Sequence, residues 1–319
     1  MRLKILILTL SILILFFIPG ALFLEGDTAI EPEPAQIPET VSEEPDEFAE
    51  YDQEIIAKFT SPDLFSENHV LAYYGNPKSK IMGIVGRLSK EDLAAKLLKT
   101  AAEYDSLNGE KGVIPALYLI YGTCQPGGNI NLMDKTLLEE YIHFALKKGF
   151  LVYIDHQIGK YSLDNALDAI LPFLKYPNVH LAVDLEWRTS RPMKEIGYIR
   201  AQEMNQLQMK MQSYMINNGI KGQRQFVFHQ FNAKMVRDIS LVNATYAPVI
   251  LVHATSGWGK PSVKLATHSR NAKAVNIPYK AFKLWYFYSE KKGVHYDNPI
   301  MSPAEVLALD PQPGMIIYQ

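Results

Sequence analysis

Residues 179–188 read VHLAVDLEWR, and this stretch decides the predicted fold. Leucine or valine occupies every second position of its first seven residues, which is the period-two pattern of a β-strand with one apolar face. Asp184 and Glu186 fall together on the opposite face, near the end of the strand. A buried strand with polar residues at its C-terminal end is typical of a parallel sheet that carries a site at that edge.

Seven other β-rich runs alternate with helical patterns along the chain. The eight predicted strands are His69–Tyr74, Val113–Tyr121, Phe150–His156, Val179–Glu186, Gln225–Gln230, Val249–His253, Ala281–Tyr286 and Met315–Gln319. The clearest helical patterns are Lys90–Ser106, Asp134–Lys148, Leu163–Lys175 and Ile199–Asn218. This order predicts an α/β protein with a (β/α)8 TIM barrel, whose eighth strand lies at the C-terminus. An open doubly wound sheet is the alternative, but no glycine-rich phosphate loop follows the first strand.

Residues 1–24 are predicted to be a targeting segment. Arg2 and Lys4 precede an apolar run that is long enough to span a bilayer. The segment is either a signal anchor or a cleaved signal peptide, and both alternatives place the rest of the chain outside the cytoplasm. We therefore expect a protein that is membrane-anchored at the cell surface, or secreted if the signal is cleaved. The single Cys124 allows no internal disulfide, which agrees with a bacterial surface.

Residues 25–62 are predicted to be a disordered acidic linker, followed by the barrel domain over residues 63–319. Between residues 25 and 54 there are 12 acidic residues, four prolines and no lysine or arginine. The chain from residue 55 on keeps 22 acidic and 30 basic residues, a formal charge of +8. The excess basic residues are not clustered and this part of the chain has no nucleic-acid-binding motif, so no nucleic-acid partner is expected. We expect a monomer.

The strongest candidate chemistry lies in the two carboxylates of the fourth strand. Residues two apart in a strand lie roughly 6.5 Å apart, and repulsion in a closed site raises the pKa of one of them. Glycoside hydrolysis needs this division between one protonated acid and one ionised carboxylate. The alternation of side chains along its strand predicts that Asp155 faces the barrel, and it is a further candidate for the second carboxylate. The structural alternative is an ion pair between Glu186 and Arg188.

The Asp-x-Glu sequence at the end of strand 4 resembles the motif of chitinase-type and lysozyme-type barrel glycosidases. The resemblance implies that Glu186 is the general acid. In the chitinase type, it implies that Asp184 orients an N-acetyl group that acts as internal nucleophile. The chain departs from these motifs in two ways. His180 and Ala182 stand where the chitinase type has further acids, and the first strand ends in aromatic residues where the lysozyme type has Asp. Residues 72–75, 154–157, 183–188, 228–231 and 302–306 resemble a group of exported bacterial barrel proteins with an Asp-x-Glu-Trp-Arg motif, a resemblance that brings no activity with it.

Polar and aromatic residues at the other strand ends are predicted to bind the substrate. They are Tyr73, Tyr74, Gln157, Trp187, Arg188, His229, Gln230, His253, Trp285 and Tyr318. Sugars stack their apolar faces on such rings, and the structural alternative is packing at the rim of the barrel. The first strand has no His-x-His pair and the chain has no HExxH motif, so no metal site is assigned and no cofactor is expected.

Three classes of function remain open. The first is an exported, surface-anchored glycoside-hydrolase-like protein that acts on a cell-envelope or environmental polysaccharide, with the membrane contacted only by the N-terminal segment. The second is a non-catalytic saccharide-binding or surface barrel, which the missing accessory acids favour. The third is a metal-dependent hydrolase, in which His229 and His253 would act as ligands with Asp155 or Glu186.

Overall fold

Eight parallel strands close into a barrel in the computed structural model, which describes residues 48–289 and 295–319. The barrel strands are β1 (Asn68–Gly75), β2 (Gly112–Cys124), β3 (Leu151–Gln157), β4 (Val179–Asp184), β5 (Arg224–Gln230), β6 (Val249–Thr255), β7 (Tyr279–Leu284) and β8 (Met315–Tyr318). Each strand pairs with the next one along the chain, and β1 pairs with both β2 and β8. The predicted (β/α)8 barrel is confirmed, and the open sheet is excluded because the ring of strands closes.

Helices connect most of the strands. The described helices are α1 (Gln53–Thr60), α2 (Leu64–Glu67), α3 (Lys90–Asp105), α4 (Lys135–Lys147), α5 (Leu163–Asp168), α6 (Ala201–Asn217), α7 (Pro261–Ala272) and α8 (Pro303–Leu307). The predicted helix over 163–175 is interrupted, since residues 171–175 form a 3₁₀ turn after α5 ends. Pro172 lies in this turn, and proline cannot donate the hydrogen bond that would continue an α-helix. Between β5 and β6 the chain forms short 3₁₀ turns instead of an α-helix.

Three short strands lie outside the barrel ring. Ile130–Leu132 pairs antiparallel with the last residues of β2, and Ile199–Arg200 pairs in parallel with Val236–Arg237. All three belong to loops that follow the C-terminal ends of barrel strands. They fix the course of these loops on the side of the barrel where TIM-barrel sites are found.

Adjacent residues of a barrel strand face opposite sides. In β1, Leu71 and Tyr73 belong to the apolar layer between the strands and the helices. Val70, Ala72 and Tyr74 belong to a second apolar cluster, which fills the interior of the barrel. Both sides of each strand are therefore buried, which is the usual condition of a parallel sheet covered by helices.

The chain before β1 packs against the barrel, which corrects the predicted boundary of the linker. Phe59 of α1 and Leu64 and Phe65 of α2 are buried in the cluster that fills the barrel interior. The residues from 48 to 62 are thus part of the folded domain, although their acidic composition predicted a linker. Gly222 permits this contact, because a Cβ there would lie 2.7 Å from the Thr60 Cα.

The predicted targeting segment at 1–24 and residues 25–47 of the predicted linker lie outside the described residues. In the described parts of the chain, no helix is both long and apolar enough to cross a membrane.

A column of aromatic rings fills the barrel interior. The ring centroids of Tyr74 and Tyr118 are 5.1 Å apart, and those of Tyr118 and Tyr153 are 5.3 Å apart. Tyr153 lies 5.0 Å from His180, and His180 lies 5.3 Å from Phe65 of α2. We call these five residues the aromatic column. It runs from the C-terminal ends of the strands to the N-terminal helices, so the barrel is a packed core.

Candidate active site

A cavity of about 890 Å³ opens at the C-terminal ends of the barrel strands. Its inner wall is formed by buried strand-end side chains, among them Tyr74 of β1, Asp184 of β4 and Lys283 of β7. Its outer wall comes from loops and includes Met193 and Trp258, which are exposed to solvent. The cavity therefore lies where TIM-barrel enzymes carry their active sites.

Asp184 and Glu186 both line this cavity, although not as two residues of one strand. β4 ends at Asp184 and residues 185–187 form a 3₁₀ turn, so the predicted alternation through Glu186 is wrong. The Gly197 N–H donates to the Glu186 carbonyl oxygen at 2.7 Å and holds this turn. Only glycine fits here, because a Cβ would lie 2.4 Å from the Leu185 carbonyl oxygen. The turn thus keeps both carboxyl groups at the cavity.

The two carboxyl groups differ in their affinity for a proton. Burial, and after it repulsion by Asp184, raises the pKa of Glu186 to about 8. Burial raises the pKa of Asp184 less, to about 6; Lys283 opposes both shifts, and only that of Glu186 gains from carboxylate repulsion. At neutral pH Glu186 therefore keeps its proton while Asp184 is mostly ionised.

Asp155 lies in the barrel interior beneath the cavity. Its side chain is fully buried, and its Oδ2 accepts a hydrogen bond from the Tyr74 hydroxyl at 2.8 Å. Its Oδ1 has no hydrogen-bond partner among the described residues. Burial and repulsion by Asp184 raise the pKa of Asp155. A group in this position acts on the cavity through Tyr74 and through its charge, rather than by direct contact with a ligand.

Lys283 stands on the opposite side of the cavity from β3 and β4. Its Nζ lies 3.5 Å from the centre of the Tyr74 ring and 4.7 Å from that of Trp285. Such cation–π contacts hold an ammonium group between aromatic faces. Burial lowers the pKa of Lys283, whereas Asp184, Asp155 and Glu186 raise it. Lys283 therefore supplies the positive charge that opposes the three carboxyl groups.

A buried ion pair fixes the strand end that carries Lys283 and Trp285. Lys264 of α7 and Asp297 lie 3.0 Å apart, and both side chains are inaccessible to solvent. The Asp297 carboxylate also accepts hydrogen bonds from the backbone N–H groups of Gly259 and Trp285, each at 3.0 Å. This pair joins the loop after β6, the helix α7 and the end of β7 at the cavity wall.

Three tryptophans surround the cavity: Trp187, Trp258 and Trp285. Trp285 is fixed by its indole N–H, which donates to the Ser256 carbonyl oxygen at 3.0 Å. Trp258 is about half exposed, at 47%, and stacks on the His295 ring at a centroid distance of 4.3 Å. These rings give the cavity apolar flat surfaces beside its carboxyl groups.

The structure brings some of the predicted site residues together and separates others. Those that line the cavity are Tyr74, Gln157, Asp184, Glu186, Trp187 and Trp285. Asp155 and His229 lie below it in the barrel interior, where the His229 ring shares a hydrogen bond of 2.7 Å with the Tyr118 hydroxyl. The Gln157 Oε1 also accepts from the Cys124 backbone N–H at 2.6 Å, which orients this side chain.

Besides Asp155 and His229, five further predicted residues do not line the cavity. Tyr73 and Tyr318 face the helices, where their hydroxyls bond to Thr100 at 2.7 Å and Tyr104 at 2.9 Å. The other three are Gln230 and His253, which bond to one another at 2.6 Å, and Arg188. Arg188 makes a bidentate pair with Glu203 of α6, at 2.8 and 3.0 Å, instead of pairing with Glu186. Each lies on a strand face or loop that points away from the barrel axis.

The histidines named as possible metal ligands are not brought together, since His229 lies inside the barrel and His253 outside it. Among residues 48–289 and 295–319, no group of three or more His, Cys, Asp or Glu side chains is arranged to hold a metal ion.

The sequence interpretation left Lys283, Lys264, Asp297 and Trp258 out of the site. Lys283 carries a usable signal, since it lies two residues before Trp285 and shares its strand face. Asp297 carries none, because it comes from a loop whose course no local pattern predicts.

No protein-family model and no curated protein matches this chain. Solved structures similar to it include the GH18 chitinase ChiB of Flavobacterium johnsoniae, 10% identical over 79% of this chain and 87% of that one, with a TM-score of 0.40. GH26C of Muricauda sp. is 13% identical over 84% and 83% of the two chains, with a TM-score of 0.44. The chitinase ICChI of Ipomoea carnea is 11% identical over 79% and 94%, with a TM-score of 0.45. At these scores the likeness carries no conclusion about what this chain does.

Proposed function

We propose that this protein is a glycoside hydrolase in which Glu186 is the general acid. The observation that carries the proposal is the pair of carboxyl groups in one cavity, of which Glu186 holds its proton at neutral pH and Asp184 does not. A protonated acid beside an ionised carboxylate is the arrangement that cleavage of a glycosidic bond requires.

In this mechanism Glu186 donates its proton to the leaving oxygen as the glycosidic bond breaks. A water molecule then adds its oxygen to the sugar carbon and returns a proton to Glu186. Asp184 stabilises the positive charge that develops on the sugar, either directly or by orienting an acyl group of the substrate. Lys283 opposes protonation of both carboxyl groups, and repulsion by Asp184 favours the proton on Glu186. Asp155 has no contact with the cavity in this mechanism and supports Tyr74 from below.

The proposed substrate is a polysaccharide of the cell envelope or of the surroundings. Three tryptophans around the cavity suit the apolar faces of sugar rings. The apolar N-terminal segment supports the further proposal that the domain acts outside the cytoplasm, either anchored to the membrane or secreted.

The test is an assay of the wild type and Glu186→Gln against peptidoglycan, chitin and neutral glucans. Loss of a general acid should reduce turnover by about 10²–10⁴-fold. Glu140→Gln is the matched control, because Glu140 is an exposed carboxylate on α4 that pairs with Lys90. Full activity in Glu186→Gln would refute the assignment of the acid. Saccharide binding without cleavage by the wild type would instead favour a non-catalytic binding barrel.

A further inference from the structure

Lys283 differs from the other buried lysines in that no oxygen of the described residues accepts a hydrogen bond from its Nζ. The Nζ of Lys264 donates to the carbonyl oxygens of Gly257 and Lys283, at 2.7 and 2.6 Å, in addition to its ion pair. Lys280 donates to the Ala274 carbonyl oxygen at 2.8 Å. The side chain of Lys283 is equally buried, yet among the described residues its Nζ contacts only the faces of Tyr74 and Trp285.

A buried ammonium group with three N–H donors and no acceptor is costly, because burial removes the water that would accept those hydrogen bonds. The two aromatic faces compensate only part of this cost. Since Lys283 lines the cavity, an acceptor can reach it as part of a bound ligand or as water. The residue is therefore prepared for an oxygen acceptor that residues 48–289 and 295–319 do not provide.

We propose that Lys283 binds the carboxylate of an acidic sugar and thereby makes the cavity selective for substrates that carry one. This proposal rests on the proposed glycosidase function and specifies its substrate class. A carboxylate is the acceptor that gains most from an ammonium donor, because both partners are charged. Trp285, which borders Lys283, offers a ring surface on which the sugar can stack while its carboxylate meets Nζ.

The charge of the surrounding groups determines when an anion can enter. The titratable groups that face Lys283 are Tyr74, Asp155, Asp184, Glu186, His229 and Lys264. Burial raises the pKa of Glu186 to about 8 and that of Asp155 to about 7, so Asp184, with a pKa of about 6, is the most fully ionised carboxyl group that a ligand carboxylate would meet at neutral pH. Binding should therefore be accompanied by proton uptake at Asp184. Affinity should fall as pH rises from 6 to 9, since Asp184, Asp155 and Glu186 become ionised in turn and Lys283, whose pKa burial lowers to about 8, loses its charge.

The test uses pairs of methyl β-glycosides that differ in a carboxylate, with binding measured by calorimetry. One pair is methyl glucuronide and methyl glucoside, and the other is the methyl glycosides of N-acetylmuramic acid and N-acetylglucosamine. The wild type should bind the acidic member of at least one pair about tenfold more tightly or better. The pair that shows the preference indicates whether Lys283 binds a carboxylate attached directly to the sugar ring or one carried by a lactyl ether group.

Lys283→Met should remove this preference, and Lys99→Met, a substitution at an exposed position on α3, should keep it. Circular dichroism of Lys283→Met separates a loss of folding from a loss of the preference, because the substitution leaves the Asp184 carboxylate without the charge that opposes it. Equal affinity of the wild type for the acidic and neutral sugars would overturn the proposal. An equal loss of affinity for both sugars in Lys283→Met would overturn it as well. Selective binding in a protein that cleaves no substrate would refute only the glycosidase function.

Discussion

The ion pair between Lys264 and Asp297 allows a prediction of stability. Among the described residues, Lys264 is the only cation in contact with the Asp297 carboxylate, which has no access to solvent, and replacing Lys264 by Met removes this contact. It also removes the donor from the carbonyl oxygens of Gly257 and Lys283. Breaking a buried pair in this way costs about 3–5 kcal/mol, because one charge stays behind without its partner. Asp297 keeps two backbone donors, so we expect about 3 kcal/mol.

The measurement is urea unfolding at pH 7, followed by circular dichroism, with Lys210→Met as the matched control. Lys210 forms an ion pair with Asp168 at 2.7 Å on the surface, and such pairs are worth about 0–1 kcal/mol. Lys264→Met combined with Asp297→Asn should be more stable than Lys264→Met alone, since no uncompensated charge remains. A loss below about 1 kcal/mol in Lys264→Met, or additive losses in the double variant, would show that the pair does not stabilise this loop.

Two further outcomes follow from the same contacts. Asp184→Asn removes the charge that repels the Glu186 carboxylate, so the pKa of Glu186 should fall and the basic limb of the pH–rate profile should move to lower pH. A ¹³C titration of the Glu186 carboxyl group measures this pKa directly, and an unchanged value would contradict the coupling. Phe59→Ala should lower the free energy of unfolding by about 3–5 kcal/mol, because the ring is buried against the barrel interior; a loss below about 1 kcal/mol in urea unfolding would mean that α1 is not part of the folded domain.

The barrel was predictable because its strands repeat one pattern, and the eight of them are seen in the structure. The strand faces were less predictable. Tyr73 and Tyr74 are adjacent aromatic residues that follow an apolar run, so no sequence pattern separates them. In the structure only Tyr74 faces the cavity, because both sides of a parallel strand are buried and apolar residues occupy both.

The site was predictable where it depends on a single strand end. Asp184 and Glu186 reach the same cavity as expected, but through a 3₁₀ turn that no alternation predicts. Lys264 and Asp297 meet across 33 positions of sequence, and only the closed barrel brings them together. The start of the domain was missed for a different reason, since acidic residues around α1 concealed the one buried aromatic residue, Phe59, that it contributes.

The aromatic column determines how ligands enter and leave the cavity. The packed rings from Tyr74 to Phe65 fill the barrel interior below the cavity. A molecule that reaches Asp184 must therefore leave through the mouth by which it entered. A second ligand can then bind only after the first has left, so a cleavage product that dissociates slowly should act as a competitive inhibitor.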